Sequence, residues 1–120
     1  IMNQLDVSET IMDRIHQGMW QVTHSPTAVA ARTYFGDNDP IGIAGKTGTG
    51  EAQYFGGDRD LWYEEGDNTT FVAFGPYENP EIAIAVVGPY LKTETGYATG
   101  IAKQALDAYF NVESAETSNN

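Results

Sequence analysis

Cysteine is absent from this 120-residue chain. No disulfide can staple it, and the compartment stays open between an exported bacterial protein and a cytoplasmic one. Basic residues are few: 6 Lys and Arg stand against 17 Asp and Glu, a formal net charge of −11. A phosphate-binding surface needs cations in excess, so nucleic acid is excluded as a partner, and so is an anionic membrane surface. No apolar run approaches the roughly 18 residues of a membrane span, so no membrane contact is expected from this segment. No signal peptide opens the chain. Ile1 stands first and helical patterning begins almost at once, which leads us to expect a piece of something longer. The length suits one modest domain.

What the chain does have is concentrated in Ile43-Ala44-Gly45-Lys46-Thr47-Gly48-Thr49-Gly50-Glu51. The flanking Ile41, Ile43, Tyr54 and Phe55 favour a pleated surface, so this stretch reads as a strand. Glycine weakens a strand and marks places where something approaches the backbone closely. Three glycines here alternate with a lysine and two threonines, which predicts a strand that meets an anionic ligand.

Asp6-Val7-Ser8-Glu9 reads as a capping box, with Asp6 as the cap. Ile11, Ile15, Met19 and Val22 then recur at helical spacing, so a helix is expected from about Val7 to about Gln21. Gly18 beside that stripe suggests close packing on a neighbour. His16 reads as an exposed helix residue and His24 as a structural one, and no metal site or cofactor follows from them. Ser25-Pro26 signals a second helix, Ala-rich from Thr27 to Phe35 and stopped by Gly36. Asp37-Asn38-Asp39-Pro40 is a turn leading into the lysine strand.

Residues 56–68 lack any period and carry much charge. They read as a long surface loop, either a functional flap or a solvated acidic connection. Thr69 to Gly75 alternates as a strand. Pro76 to Pro80 forms a tight connection, and the unbroken apolar run Ile82 to Val87 predicts a strand buried on both faces and ended by Gly88-Pro89. A final helix is expected from about Gly96 to about Phe110, with Ile101, Ala102, Ala105, Leu106 and Tyr109 on its apolar face. The order predicts an α+β fold, an antiparallel sheet flanked by helices. Residues 1–112 form its structured part and 113–120 a disordered polar tail.

Gly45-Lys46-Thr47 also matches the end of a phosphate-binding loop. That motif would place a glycine where Pro40 stands, and a helix would have to begin at the lysine. Gly48 and Gly50 would each cost such a helix about 1 kcal/mol. Spacing and context both reject nucleotide binding.

The Ala44-Gly45-Lys46-Thr47-Gly48-Thr49-Gly50-Glu51 strand instead resembles the Lys-Thr-Gly strand of the penicillin-binding proteins, in the transpeptidase domain of the class B type. The resemblance extends to a helix ending Gly18-Met19-Trp20-Gln21-Val22, to Phe71-Val72-Ala73-Phe74-Gly75-Pro76, to Asn79-Pro80-Glu81 with the apolar strand after it, and to the last helix. It implies the C-terminal portion of a β-lactamase-like transpeptidase domain whose chemistry is acyl transfer by a serine. That family uses Ser-x-x-Lys, Ser-x-Asn and Lys-Thr-Gly. Here Ser8, Ser25, Ser114 and Ser118 all lack a lysine three residues on, and Ser118-Asn119-Asn120 is a chance match in the tail. The nucleophile is therefore expected outside this chain.

By resemblance, the catalytic residues are Lys46 and Thr49, with the Thr49 N–H as an oxyanion-hole donor. Thr47, Gly48, Thr49 and Gly50 would bind substrate, the hydroxyls donating to its carboxylate. Strand alternation sets Lys46 on the face opposite Thr47 and Thr49, so one site can use both faces only if the strand lies at a sheet edge. An edge strand would also let an extended peptide add beside it. The implied partners are a peptidoglycan stem peptide, β-lactams and the remaining segment of the same domain. The implied location is the extracytoplasmic face of the bacterial plasma membrane, with an anchor upstream. Three alternatives stay open: a D,D-carboxypeptidase, a β-lactamase of the same fold, and a non-catalytic peptidoglycan-binding module. Read as structure alone, Lys46 is an edge-protecting surface lysine and Thr47 and Thr49 are plain strand formers. Glu51 reads as a structural acid and not a base.

Overall fold

A computed structural model describes residues 5–28, 31–55, 63–91 and 96–112. The elements run α1 (Glu9–His24), a short 3₁₀ turn (Gly36–Asn38), β1 (Ala44–Phe55), β2 (Tyr63–Gly75), β3 (Ile82–Leu91) and α2 (Tyr97–Phe110). The three strands form one antiparallel sheet in the order β1-β2-β3. The expected α+β architecture is observed, with β1 at a sheet edge among the described residues.

One face of the sheet carries Gly45, Thr47 and Thr49 of β1, Thr69, Phe71 and Ala73 of β2, and Ile82, Ile84 and Val86 of β3. Phe71, Ala73, Ala98, Ala102 and Leu106 join Ile43, Phe35 and Ala31 in the core. Burying a side chain the size of Phe71 or Leu106 stabilises the fold by roughly 1.5–3 kcal/mol each. Phe35 stacks on Phe71 at 5.7 Å between ring centres. α2 contributes Ala98, Thr99, Ala102 and Leu106 to this contact. That stripe is turned from the expected one: Ile101 and Tyr109 are exposed.

The opposite face carries Ala44, Lys46, Thr70, Val72, Phe74, Ala83, Ala85 and Val87. α1 covers only one end of it. His16 packs on Phe74 at 4.6 Å, and Trp20 stacks on His24 at 3.6 Å and meets the Tyr77 ring at a tilt at 4.8 Å. His16 is thus half-buried, not exposed. Away from α1 the face is open: Val72 is 45% exposed and Val87 65%. Among the described residues of this chain only one face of β3 is covered: Ala83, Ala85 and Val87 are apolar and exposed, so the expected burial on both faces would need a covering segment from outside it.

Other expectations are corrected as well. α1 starts at Glu9 with Ser8 at its N-cap, and no side chain caps it, so the capping box is not formed. Its stripe is covered only toward the C-terminal end: Ile11 and Ile15 are exposed while Val22 packs on the core. A β-carbon at Gly18 would meet nothing, so that glycine marks no close packing. The second helix is replaced, among the described residues, by turns from Ala31 to Phe35 and the 3₁₀ turn. Ser25 serves instead as the C-cap of α1, and Gly36 sits at φ +54 inside the new turn. β2 begins at Tyr63, so strand replaces part of the expected 56–68 loop, and β3 runs on through Gly88-Pro89 to Leu91. Residues 56–62 of that loop, residues 29–30 of the second helix and the tail from 113 lie outside the described residues. No helix among the described residues is long and apolar enough to cross a membrane.

Candidate functional site

The lysine strand is delivered to its place by Asp39. Its carboxylate accepts from the Ile41 N–H at 3.0 Å and the Ile43 N–H at 2.6 Å, while His24 Nε2 lies 3.9 Å away. His24 Nδ1 is also 2.9 Å from Thr23 Oγ1, which donates to the Trp20 carbonyl. The chain entering β1 is therefore tied to the last turn of α1. Gly42 takes φ +78 against the Trp20 ring, a conformation that favours glycine. Thr23 is fully buried and Asp39 lies at the strand lead-in, so this group is an anchor in the fold.

From Ala44 to Phe55 β1 pairs with β2 without a break in register. Lys46 lies opposite Val72, Thr47 opposite Phe71, Gly48 opposite Thr70 and Thr49 opposite Thr69. Lys46 is exposed on the partly open face, and its Nζ donates to the Thr47 carbonyl at 2.6 Å. Two glycines admit their neighbours: the Phe71 ring occupies the place of a β-carbon at Gly45, and Thr70 Oγ1 does so at Gly48.

Thr47, Gly48 and Thr49 line a cavity of about 160 Å³ together with Thr69 and Thr70 of β2 and Gly96, Ala98 and Thr99 of α2. Five of these eight residues are threonines, and no cation is among them. Gly96 caps α2 at φ +92 without a side-chain cap bond, beneath the Tyr34 ring. The first rung of the helix ladder runs from the Gly100 N–H to the Gly96 carbonyl at 2.9 Å. The N–H groups of Tyr97, Ala98 and Thr99 precede that rung, at the positive end of the helix dipole. Hydroxyls and amides of this kind can donate to an acceptor-rich group.

Of the residues singled out by sequence, Thr47, Gly48 and Thr49 are brought together at this cavity. Lys46 is turned to the other face, and Gly50 and Glu51 are exposed beyond it. Thr69, Thr99 and the start of α2 are the members that sequence reasoning missed. Thr69-Thr70 would have signalled them only if the register across residues 56–62 had been known. A second, larger cavity of about 480 Å³ lies between Arg32 and Lys103. There Arg32 Nη2 pairs with Asp37 at 2.8 Å while its buried Nε has no hydrogen-bond partner, and Lys103 pairs with Asp107 at 2.5 Å.

Residues 1–108 match the family model of the penicillin-binding protein transpeptidase domain. The chain is 34% identical over 109 residues to penicillin-binding protein 2B of Streptococcus pneumoniae, covering 90% of this chain and 15% of the relative. It is 34% identical over 113 residues to penicillin-binding protein H of Bacillus subtilis, covering 94% and 15%. The solved structure of penicillin-binding protein 2B from Streptococcus pneumoniae superimposes with a TM-score of 0.72 at 30% identity, over 99% of this chain and 18% of that one. The chain thus spans about 15% of the length of the curated relatives it matches. With nine-tenths of its length under the family model, the chain belongs to the penicillin-binding protein transpeptidase domain family.

Proposed function

We propose that this segment supplies the Lys-Thr-Gly-Thr strand of a peptidoglycan D,D-transpeptidase that acts at the extracytoplasmic face of the plasma membrane. The observation that carries the reading is the position of Lys46-Thr47-Gly48-Thr49 on an edge strand, with both threonines at the rim of a donor-lined cavity. In this reading a serine from the rest of the domain attacks the carbonyl of a stem peptide or a β-lactam. Its proton passes to the nitrogen of the breaking C–N bond, and an acyl-enzyme forms. An amine of a second stem peptide then takes the acyl group and the serine regains its proton, which cross-links the wall. With water as the acceptor the same parts make a D,D-carboxypeptidase.

Thr47 and Thr49 hold the ligand carboxylate, and the Thr49 N–H is one of two oxyanion donors, an interaction worth about 3 kcal/mol of barrier. Lys46 brings positive charge to the nucleophile side of the strand, releasing the Thr47 carbonyl as it does so. The remaining segment of the domain is the main partner. The uncovered apolar surface of Val72 and Val87 on the sheet, and of Ile11 and Ile15 on α1, is what it would cover. A fluorescent penicillin applied to the complete protein tests the reading: a covalent band lost in Lys46→Ala is expected. A complete, folded protein that takes no label would favour the non-catalytic module.

A further inference from the structure

β1 is the edge strand among the described residues, so the ladder holds it from one side only, through β2. Its second hold is at the root. The Asp39 side chain is 0% exposed and accepts from the N–H groups of Ile41 and Ile43. Between those two, Gly42 packs on the Trp20 ring, and its carbonyl accepts from the Tyr77 N–H at 2.8 Å. His24 closes the group: its ring is stacked on Trp20 within 8° of parallel, and Nε2 faces Asp39 Oδ2 at 3.9 Å. Lys46 follows Ile43 by three residues, about 10 Å along a strand, so a tilt at this root moves the lysine.

The hydrogen bonds also fix which nitrogen of His24 holds a proton. Thr23 has one hydroxyl proton and donates it to the Trp20 carbonyl at 3.0 Å, with the Met19 carbonyl at 3.4 Å. Thr23 Oγ1 therefore accepts from His24 Nδ1 at 2.9 Å. Nε2 attracts Asp39 when it carries a proton as well, in the imidazolium. Asp39 is the charged group that faces this ring from the lead-in to β1. Trp20 and Thr23 of α1 are uncharged, and the titratable Tyr77 of the β2–β3 connection touches Trp20.

We propose that His24, acting through Asp39, is a positioning residue for Lys46. The inference rests on the reading of Lys46 as the charge on the nucleophile side of the strand. It gives the last turn of α1 a part in the acylation rate that packing alone would not give it.

The test is acylation of the complete protein by a penicillin, resolved into the binding constant and the first-order acylation step, beside the melting temperature. His24→Phe keeps a ring on Trp20 and loses both nitrogens. His24→Gln loses the stacked ring and keeps an amide N–H that can reach Asp39 in place of Nε2. The two orders should cross. His24→Phe melts higher than His24→Gln yet acylates more slowly, about tenfold below wild type with binding unchanged, where a misplacement of about 1 Å can cost about a hundredfold. His24→Gln stays close to the wild-type rate. The wild-type rate should fall as pH rises through the histidine range, and His24→Gln, whose donor does not titrate, should lack that step. Rates that rank with melting temperature, a wild-type rate in folded His24→Phe, or a pH step that His24→Gln shares with wild type overturn the proposal. Failure of the underlying functional reading looks different: Lys46→Ala then acylates as wild type does, or wild type takes no penicillin. In that event backbone amide spectra of the complete protein decide the positioning alone. A Lys46 N–H signal displaced in His24→Phe and restored in His24→Gln supports it, and a signal unmoved in His24→Phe overturns it.

Discussion

The ring of Phe71 on β2 lies where a β-carbon of Gly45 on β1 would have to sit. Phe71 is fully buried, and the Val72 carbonyl closes the same space at 3.0 Å, so neither neighbour can give way cheaply. Gly45→Ala should therefore destabilise the complete protein by about 1–3 kcal/mol, as overpacked cores do. Thermal melting would read this as a lowered Tm. An unchanged Tm would mean that the strand can slide away from Phe71.

Asp39 should be as sensitive. Asparagine would keep one acceptor and turn an N–H toward a backbone amide that needs an oxygen. Asp39→Asn is expected to cost roughly 1.5–3 kcal/mol, the range for a hydrogen bond to a charged group. Urea unfolding measures it through a lowered midpoint at constant slope.

Lys46 and Thr49 should differ in kind. Lys46→Ala is expected to cut acylation by β-lactam steeply with the fold intact, because the residue is exposed and its removal leaves no cavity. Thr49→Ala keeps the backbone N–H and loses one hydroxyl bond to a carboxylate, roughly 1.5–3 kcal/mol or ten- to a hundredfold. Thr49→Pro removes the N–H as well and should be worse than alanine. Second-order acylation rates with melting controls separate the three. Wild-type rates in Lys46→Ala would make this stretch scaffold.

Expressed alone, the segment should neither bind penicillin covalently nor behave as a monomer. None of its serines has a lysine three residues on, and Val72, Val87, Ile11 and Ile15 would face water. Intact mass after penicillin treatment and light scattering on a sizing column are the measurements. A stable adduct, or a monodisperse monomer with a cooperative melt, would contradict these two expectations in turn.

Much of this architecture was legible because local signals and the fold agree. β1 announced itself through glycine among β-branched and aromatic residues, and the alternation of Thr69 to Gly75 matches the face each residue takes. The segment before β1 misled for a physical reason. From Thr27 to Phe35 its composition favours helix, but composition carries no period, and Ala31 and Phe35 are drawn into the core while Tyr34 covers Gly96 and Gly100. Pro89 misled as a terminator. On a strand at the edge of the described sheet it removes no bond that the ladder requires, so β3 continues through it. The cavity was the least legible feature, since Thr69 and the start of α2 reach β1 only through pairing across residues whose turn chemistry gives no register.

That pairing has a consequence for how the chain can vary. From Ala44 to Phe55 each residue of β1 has one partner, while β2 and β3 slip between Asp67 and Thr69. Side chains along β1 alternate with a period of two, so the side on which Lys46 appears is a matter of parity. Deleting Gly45, the one residue between Ala44 and Lys46, would move Lys46 to the core face and both Thr47 and Thr49 to the open face while leaving the composition of the motif nearly intact. A change of two residues would preserve the pattern. Length variation in the first half of this strand is thus quantised, and a one-residue deletion there would drive the Lys46 side chain onto the core face, where the Phe71 ring leaves no room even for a β-carbon.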